Sequence, residues 1–175
     1  MKKFKNVILH SLNLVIGALI LAFMSLPHIA VAMLGKEVGT VSGFDLINFE
    51  GEGLSIFIAI SLLMMAIFAS ILILISLIGI LADFGVIKGK NIEKNIRNVS
   101  LITTTLMSIF ALFAISSIGY QAANLTKINV GNEVLDLGEF AKASLGWACI
   151  VNFIMSLVTI ILTVFTSKKL SKKKR

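Results

Sequence analysis

The sequence has little of what soluble proteins contain: only 14% of its residues are charged, and it has one proline, one cysteine and one tryptophan. The single cysteine, Cys149, excludes an internal disulfide, and its apolar surroundings disfavour the thiolate that redox chemistry requires. Apolar residues make up 57% of the chain, and the mean hydropathy is +0.98. This composition is outside the range of soluble globular domains and is typical of an integral membrane protein.

The chain also lacks residue patterns for catalysis. It has no acid pair, no nucleophile beside a base, no metal-ligand spacing and no phosphate-binding loop, so we expect neither an enzyme nor a cofactor. Asp83-Phe84-Gly85 spells the metal-binding tripeptide of kinases, but the other kinase motifs are missing. The two histidines, His10 and His28, lie at opposite ends of one apolar segment. We therefore expect His28 in water or at the membrane interface, and no metal site.

Four apolar segments predict transmembrane helices, at about 7–33, 54–81, 99–120 and 145–165. The clearest is 54–81, which has no charge and no proline and exceeds the roughly 20 residues that cross a 30 Å hydrocarbon core. The first segment has two interpretations. Its basic start and Ala30-Val31-Ala32 imitate a cleavable signal peptide, but its apolar run is longer than a signal core, which favours a retained helix.

Small and hydrogen-bonding residues recur every three or four positions in the first and last segments, which places them on one helix face. Such faces let neighbouring helices approach closely. The candidate helix-packing residues are Asn13, Gly17, Ser25, Ser108, Asn152 and Ser156. Because an unpaired amide in hydrocarbon is costly, we expect Asn152 to bond with Asn13 or with a hydroxyl group of the third segment.

The two loops on the predicted outer side have strand-like patterns. In the first, 35–53, we expect a hairpin that turns at Ser42-Gly43 and pairs with a strand of the other loop, since an isolated hairpin is marginal in water. In the second, 121–144, we expect a hairpin that turns at 130–133. The candidate partner-binding residues of the first loop are Phe44, Asp45 and Phe49.

Basic residues are distributed unevenly: thirteen of the sixteen lie before the first segment, in the loop after residue 81 or in the tail. The positive-inside rule then places both termini in the cytoplasm of a cell whose cell membrane holds the protein as a multi-pass protein. We expect the tail, 166–175, to be disordered and to contact the head groups of the anionic inner leaflet. Its candidate lipid contacts are Lys168, Lys169, Lys172, Lys173, Lys174 and Arg175.

Four spans, cytoplasmic termini and a strand-like first outer loop resemble the plan of the claudins, although the claudin Trp and Gly-Leu-Trp motif with two cysteines is absent. The chain is also similar to small uncharacterised bacterial four-span proteins with a short Ser-Gly-Phe-Asp-like outer loop, here 42–45. These resemblances imply no activity. The expected fold is an all-α integral membrane protein, a single domain over 1–175 that forms an antiparallel four-helix transmembrane bundle with a small strand-containing extracytoplasmic cap.

Two functional hypotheses follow. The first is a non-catalytic multi-pass membrane protein that binds another membrane or envelope component as an accessory, scaffold or immunity protein, or that binds a second copy of itself. The alternative is a small transporter or channel subunit, for which Asn13 and Asn152 are the conspicuous polar groups within the spans.

Overall fold

We analysed a computed structural model of the chain, which describes residues 2–34, 36–47, 53–89, 91–124, 127–130, 133–136 and 141–171. The structure is mostly helical. Its helices are α1 (Lys2–Phe23), α2 (Leu54–Asp83), α3 (Ile92–Asn124) and α4 (Trp147–Ser171). Five strands lie in the loops: β1 (Pro27–Met33), β2 (Lys36–Ser42), β3 (Lys127–Val130), β4 (Glu133–Asp136) and β5 (Ala141–Leu145).

All four helices are long and apolar enough to cross a membrane, with mean hydropathy between 2.0 and 2.9 over the apolar part of each. Their side chains are distributed differently from those of a soluble bundle. Many buried positions are small or hydroxylic, such as Ser61, Thr104 and Thr159, whereas large apolar side chains such as Leu74 and Ile102 are exposed. This distribution suits a lipid environment, in which close packing of small residues holds helices together.

The first predicted span, 7–33, was too long at its end. The helix α1 stops at Phe23, and Pro27–Met33 forms a strand. Backbone bonds from Ser25 N to Ala22 O and from Leu26 N to Phe23 O close the last turn. Proline favours an extended conformation in the residue before it and cannot continue the helix, so the apolar residues that follow pair as a strand instead.

The strands form a three-stranded antiparallel sheet in the order β2-β1-β5. The predicted first turn at Ser42-Gly43 was wrong, because β1 and β2 form the hairpin and connect near Leu34, which has a positive φ of 51°. The expectation that this hairpin pairs with the second loop is confirmed by β5, whose Ala143 lies opposite Val31. The second predicted hairpin is also confirmed, since β3 pairs with β4 between Lys127 and Asp136.

Two irregularities interrupt the β1–β2 register. Pro27 pairs with Ser42 and Ile29 with Val41, so His28 is an extra residue on β1. Val31 pairs with Gly39 and Ala32 with Glu37, so Val38 is an extra residue on β2. A bulge changes the direction of the side chain at the extra residue, which breaks the regular alternation of a strand.

The end of α2, the start of α3 and the end of α4 all lie beyond the predicted borders. Gly85, with φ of 81°, follows α2, and bonds from Gly85 N to Ala82 O and from Val86 N to Leu81 O make a Schellman cap. The kinase-like tripeptide is therefore part of a helix terminus. Lys94 and Arg97, which were assigned to a loop, lie in the first turns of α3. The backbone of 166–171, which was expected to be disordered, continues α4.

The chain divides into two compact units. The first, which we call the termini unit, comprises the described residues within Met1–Leu21, Met64–Ile109 and Ile154–Arg175. The second, the sheet unit, comprises those within Ala22–Leu63 and Phe110–Phe153 and includes the three-stranded sheet. Each unit contains part of every helix.

Candidate functional site

In the termini unit, a histidine and an aspartate that are 73 positions apart in the sequence lie side by side. His10 Nε2 on α1 is 3.9 Å from Asp83 Oδ2 at the end of α2, and the Asp83 side chain is only 6% exposed. Gly79, one helical turn before Asp83, makes room for the imidazole, since a Cβ there would lie 2.8 Å from three ring atoms of His10. The glycine thus holds the ring against α2, next to the carboxylate.

A second polar pair lies one helical turn further along α1. The buried Asn13 donates from Nδ2 to Thr163 Oγ1 of α4 at 3.4 Å. The other amide atom, Oδ1, is buried without a hydrogen-bond partner among the described residues. A buried carbonyl oxygen without a donor is costly, so this atom has an unfilled capacity to accept.

These residues surround a cavity of about 40 Å³, which we call the polar cavity. Residues of all four helices line it, within the termini unit alone. Its polar lining includes His10, Asn13, Asp83, Ser100 and Thr163. Glu93 and Arg97 of the first turns of α3 add one negative and one positive charge. The space is large enough for one or two water molecules and too small for a metabolite.

Of these residues, only Asn13 was a candidate from the sequence. His10 was expected at one end of the first span, Asp83 in a chance motif and Arg97 in a loop. A usable signal was present, because Gly79 and Asp83 are four residues apart on one face of α2, at the same predicted membrane level as His10. Only the packing of α1 against α2 brings these groups together.

The sheet unit contains a different buried pair. Asn152 of α4 faces His28 of β1, with Asn152 Nδ2 3.4 Å from His28 Nε2. Both side chains are buried, so the prediction of a water-exposed His28 was wrong. The choice of Asn13 or a third-span hydroxyl as the partner of Asn152 was wrong as well. The bulge explains the burial, because His28 and its neighbour Ile29 both point inward from one strand.

Glycines enclose the His28 ring and its backbone. A Cβ at Gly43 would lie 2.8 Å from His28 Cε1, and a Cβ at Gly146 would lie 2.7 Å from the His28 carbonyl carbon. His28 Nδ1 is 2.9 Å from the Leu26 carbonyl oxygen, which can only accept, so Nδ1 carries the proton and Nε2 accepts from Asn152. Burial lowers the pKa of His28, although the bond to the Leu26 carbonyl acts in the opposite direction. The lowered pKa favours the neutral ring.

The other predicted packing residues have separate positions. Gly17 is buried against α2, where a Cβ would lie 3.0 Å from Ile73 Cγ1. Ser108 is buried and donates to Thr104 O of its own helix, and Ser156 is buried as well. Ser25 differs from its prediction: it lies beyond the end of α1, is exposed, and donates to Ala22 O.

The predicted partner-binding residues lie next to β2. Phe44 is half exposed, and its backbone N–H donates to Met24 O. Asp45 holds the turn after β2, since its Oδ2 accepts from Ser42 Oγ at 2.7 Å and from Ser42 N at 3.1 Å. These bonds lower the pKa of Asp45. Phe49 lies outside the described residues.

The predicted lipid contacts are mostly beyond what the structure describes. The backbone at Lys168 and Lys169 is part of α4. The remaining four, Lys172, Lys173, Lys174 and Arg175, lie outside the described residues.

Comparison with known proteins gives no relative. No family model, no curated protein and no solved structure matches this chain.

Proposed function

We propose that this chain is a non-catalytic multi-pass membrane protein that binds another membrane or envelope component through its β1–β2 hairpin. The observation that carries the proposal is a set of exposed apolar side chains outside the four candidate spans. Met33, Leu34 and Val38 of this hairpin are each more than half exposed. Exposed apolar residues outside the candidate spans favour a protein partner.

The bulge at Val38 supports recognition by side chains. β2 is an edge strand, and its first five residues are all exposed. The extra residue interrupts the regular backbone hydrogen-bonding pattern with which an added strand would pair. Such a bulge protects an edge strand from non-specific pairing. The apolar side chains at the tip of the hairpin remain available for contact, and we name Met33, Leu34 and Val38 the hairpin tip.

The proposed arrangement in the membrane is an antiparallel four-helix transmembrane bundle with both termini in the cytoplasm and the sheet as an extracytoplasmic cap. It is supported by thirteen of sixteen basic residues on the terminal side and seven of nine acidic residues in the two loops that contain the strands. On this orientation the hairpin tip faces the envelope, where the partner or a second copy would contact it.

Site-specific photo-crosslinking in intact cells tests this function. A photoreactive residue at Val38 is expected to form one discrete adduct, whereas the same residue at Leu74, exposed on the apolar surface of α2, forms none with that protein. Val38→Lys should then reduce capture of the partner about tenfold, and Val86→Lys should leave it unchanged. Adducts of the same protein at both positions, or capture unaffected by Val38→Lys, would refute the hairpin tip as the binding surface.

The second candidate is a small transporter or channel subunit, which the polar cavity favours. Intramembrane ionisable groups mark ion pathways in many transporters, and His10 and Asp83 are such groups within the candidate spans. Ion flux into liposomes that contain only this protein, lost on Asp83→Asn but retained with Val38→Lys, would establish this function in place of the first.

A further inference from the structure

We propose that the connection between α2 and α3 binds an anionic phospholipid of the adjacent leaflet, with Phe84 against the acyl chains and Lys88 and Lys94 at the phosphate group. We call these three residues the lipid site. The lipid site is separate from the hairpin tip. It requires that the helices cross a membrane, as in the proposed arrangement, but it does not require a protein partner.

Phe84 continues an apolar row on the surface of α2. Leu74, Ile78 and Leu81 recur at intervals of four and three residues, which places them on one helix face, and each is more than 40% exposed. Phe84 is one residue beyond the candidate span, and its N–H still bonds to Ile80 O in the last helical turn. Its side chain is 70% exposed. Because lipid covers the apolar surface of a membrane helix, the same leaflet can cover this ring at the acyl-chain boundary.

A tight turn separates the apolar row from the basic residues. Gly85, in its Schellman cap, ends α2 directly after Phe84. Lys88 lies in the connection and Lys94 in the first turn of α3, and both side chains are exposed. Val86, which is as exposed as Phe84, follows the turn and lies with Lys88 at the head-group level. The order along the chain, apolar and then basic, matches the order of acyl chains and phosphate groups in a leaflet.

The charge of this surface favours an anionic lipid over a zwitterionic one. Between residues 84 and 97 the sequence has four basic residues and one acidic residue, Glu93, which is exposed. The Asp83 carboxylate adds little to the surface, because its side chain is 6% exposed and lies beside His10. The termini unit as a whole has thirteen of the sixteen basic residues and two of the nine acidic residues. A lysine near an anionic leaflet strengthens binding about fivefold, whereas the ammonium group of a zwitterionic lipid opposes it.

Photo-crosslinking of the purified full-length protein in vesicles tests the lipid site. A photoreactive benzoylphenylalanine at Phe84 keeps an aromatic ring there and reacts with nearby C–H bonds. The vesicles contain equal amounts of phosphatidylglycerol and phosphatidylcholine with identical acyl chains, so only the head group distinguishes the two lipids. By mass spectrometry we expect phosphatidylglycerol adducts to exceed phosphatidylcholine adducts about tenfold. Lys88→Gln combined with Lys94→Gln, both at exposed positions, should reduce that ratio about fivefold.

Lys172→Gln combined with Lys173→Gln is the matched control, because it removes the same charge from the tail and should leave the ratio at Phe84 nearly unchanged. Equal adducts of both lipids on an inserted protein would overturn the lipid site, and so would adducts with a second copy of the chain alone. An equal loss in the tail variant would assign the lipid to the tail instead. Loss of the phosphatidylglycerol adducts on adding soluble glycerol phosphate would show that a free phosphate is bound. Failure to insert into any vesicle would contradict the membrane arrangement itself.

Discussion

His28 illustrates how one residue type can take an unexpected place when the backbone changes direction. Its position after the only proline and at the end of an apolar run suggested an aqueous or interfacial side chain. An extra residue in β1 instead turns the imidazole inward, where the Leu26 carbonyl and Asn152 bind its two nitrogens. A neutral ring satisfies both partners, whereas a protonated ring would present a donor to the Asn152 amide hydrogens.

This environment predicts a pH dependence of stability. Because burial lowers the pKa of His28 in the folded state below the ordinary 6.5, the unfolded chain binds a proton that the folded chain does not. The free energy of unfolding should therefore be constant above pH 7 and fall as the pH drops below 6.5. The contribution of His28 to this slope is at most about 1.4 kcal/mol per pH unit.

Thermal unfolding between pH 5 and 8 measures the effect. His28→Gln keeps a hydrogen-bonding side chain but removes the titration, so it should flatten the curve below pH 6.5. His10→Gln serves as the control for the other histidine and should retain the His28 component. Equal slopes for wild type and His28→Gln would contradict the neutral, buried ring.

At the scale of elements, the most informative segment is Pro27–Met33, which has the apolar composition of a helix end and the structure of a central strand. Apolar runs of this length do not distinguish the two states by periodicity. The decisive factor is pairing, because β1 bonds with β2 on one side and β5 on the other, so every residue of 29–33 has neighbours on both sides.

Cysteine pairs test this register. In a Cys149→Ser background, Val31→Cys with Ala143→Cys places two directly opposed residues on one face of the sheet, and oxidation should join them efficiently. The resulting loop is detected as faster migration on a non-reducing gel. Val31→Cys with Lys142→Cys is the matched control, since a shift of one residue points the second side chain to the other face. Equal cross-linking of both pairs, or of neither, would argue that 27–33 is not this strand.

In the molecule as a whole, the helices have a largely apolar surface. Large apolar side chains cover the helices, while many hydroxyl groups are buried. Several of the buried hydroxyls, such as those of Thr104 and Ser108, bond back to carbonyls of their own helix. Such a surface would be poorly soluble in water and suits a lipid environment. Charge is concentrated outside the apolar helical segments, which sets the expected orientation.

Labelling of single cysteines in intact cells tests that orientation. In a Cys149→Ser background, Leu34→Cys and Val86→Cys place a thiol at two strongly exposed positions, in the first loop and in the loop between α2 and α3. A membrane-impermeant maleimide should label Leu34→Cys in intact cells and Val86→Cys only after permeabilisation. The reverse labelling pattern would show that the protein has the opposite orientation in the membrane. Labelling of both cysteines without permeabilisation would place the two loops on the same side.

The four helices, the second hairpin and the need of the first hairpin for a partner strand from the other loop could all be predicted from the sequence. These features depend on local composition, hydrophobic length and period, which the chain carries directly. The end of α1, the burial of His28 and the His10–Asp83 pair could not be predicted in this way. They depend on tertiary packing, because bulges, close approaches at glycines and contacts between distant residues arise only when the elements pack together.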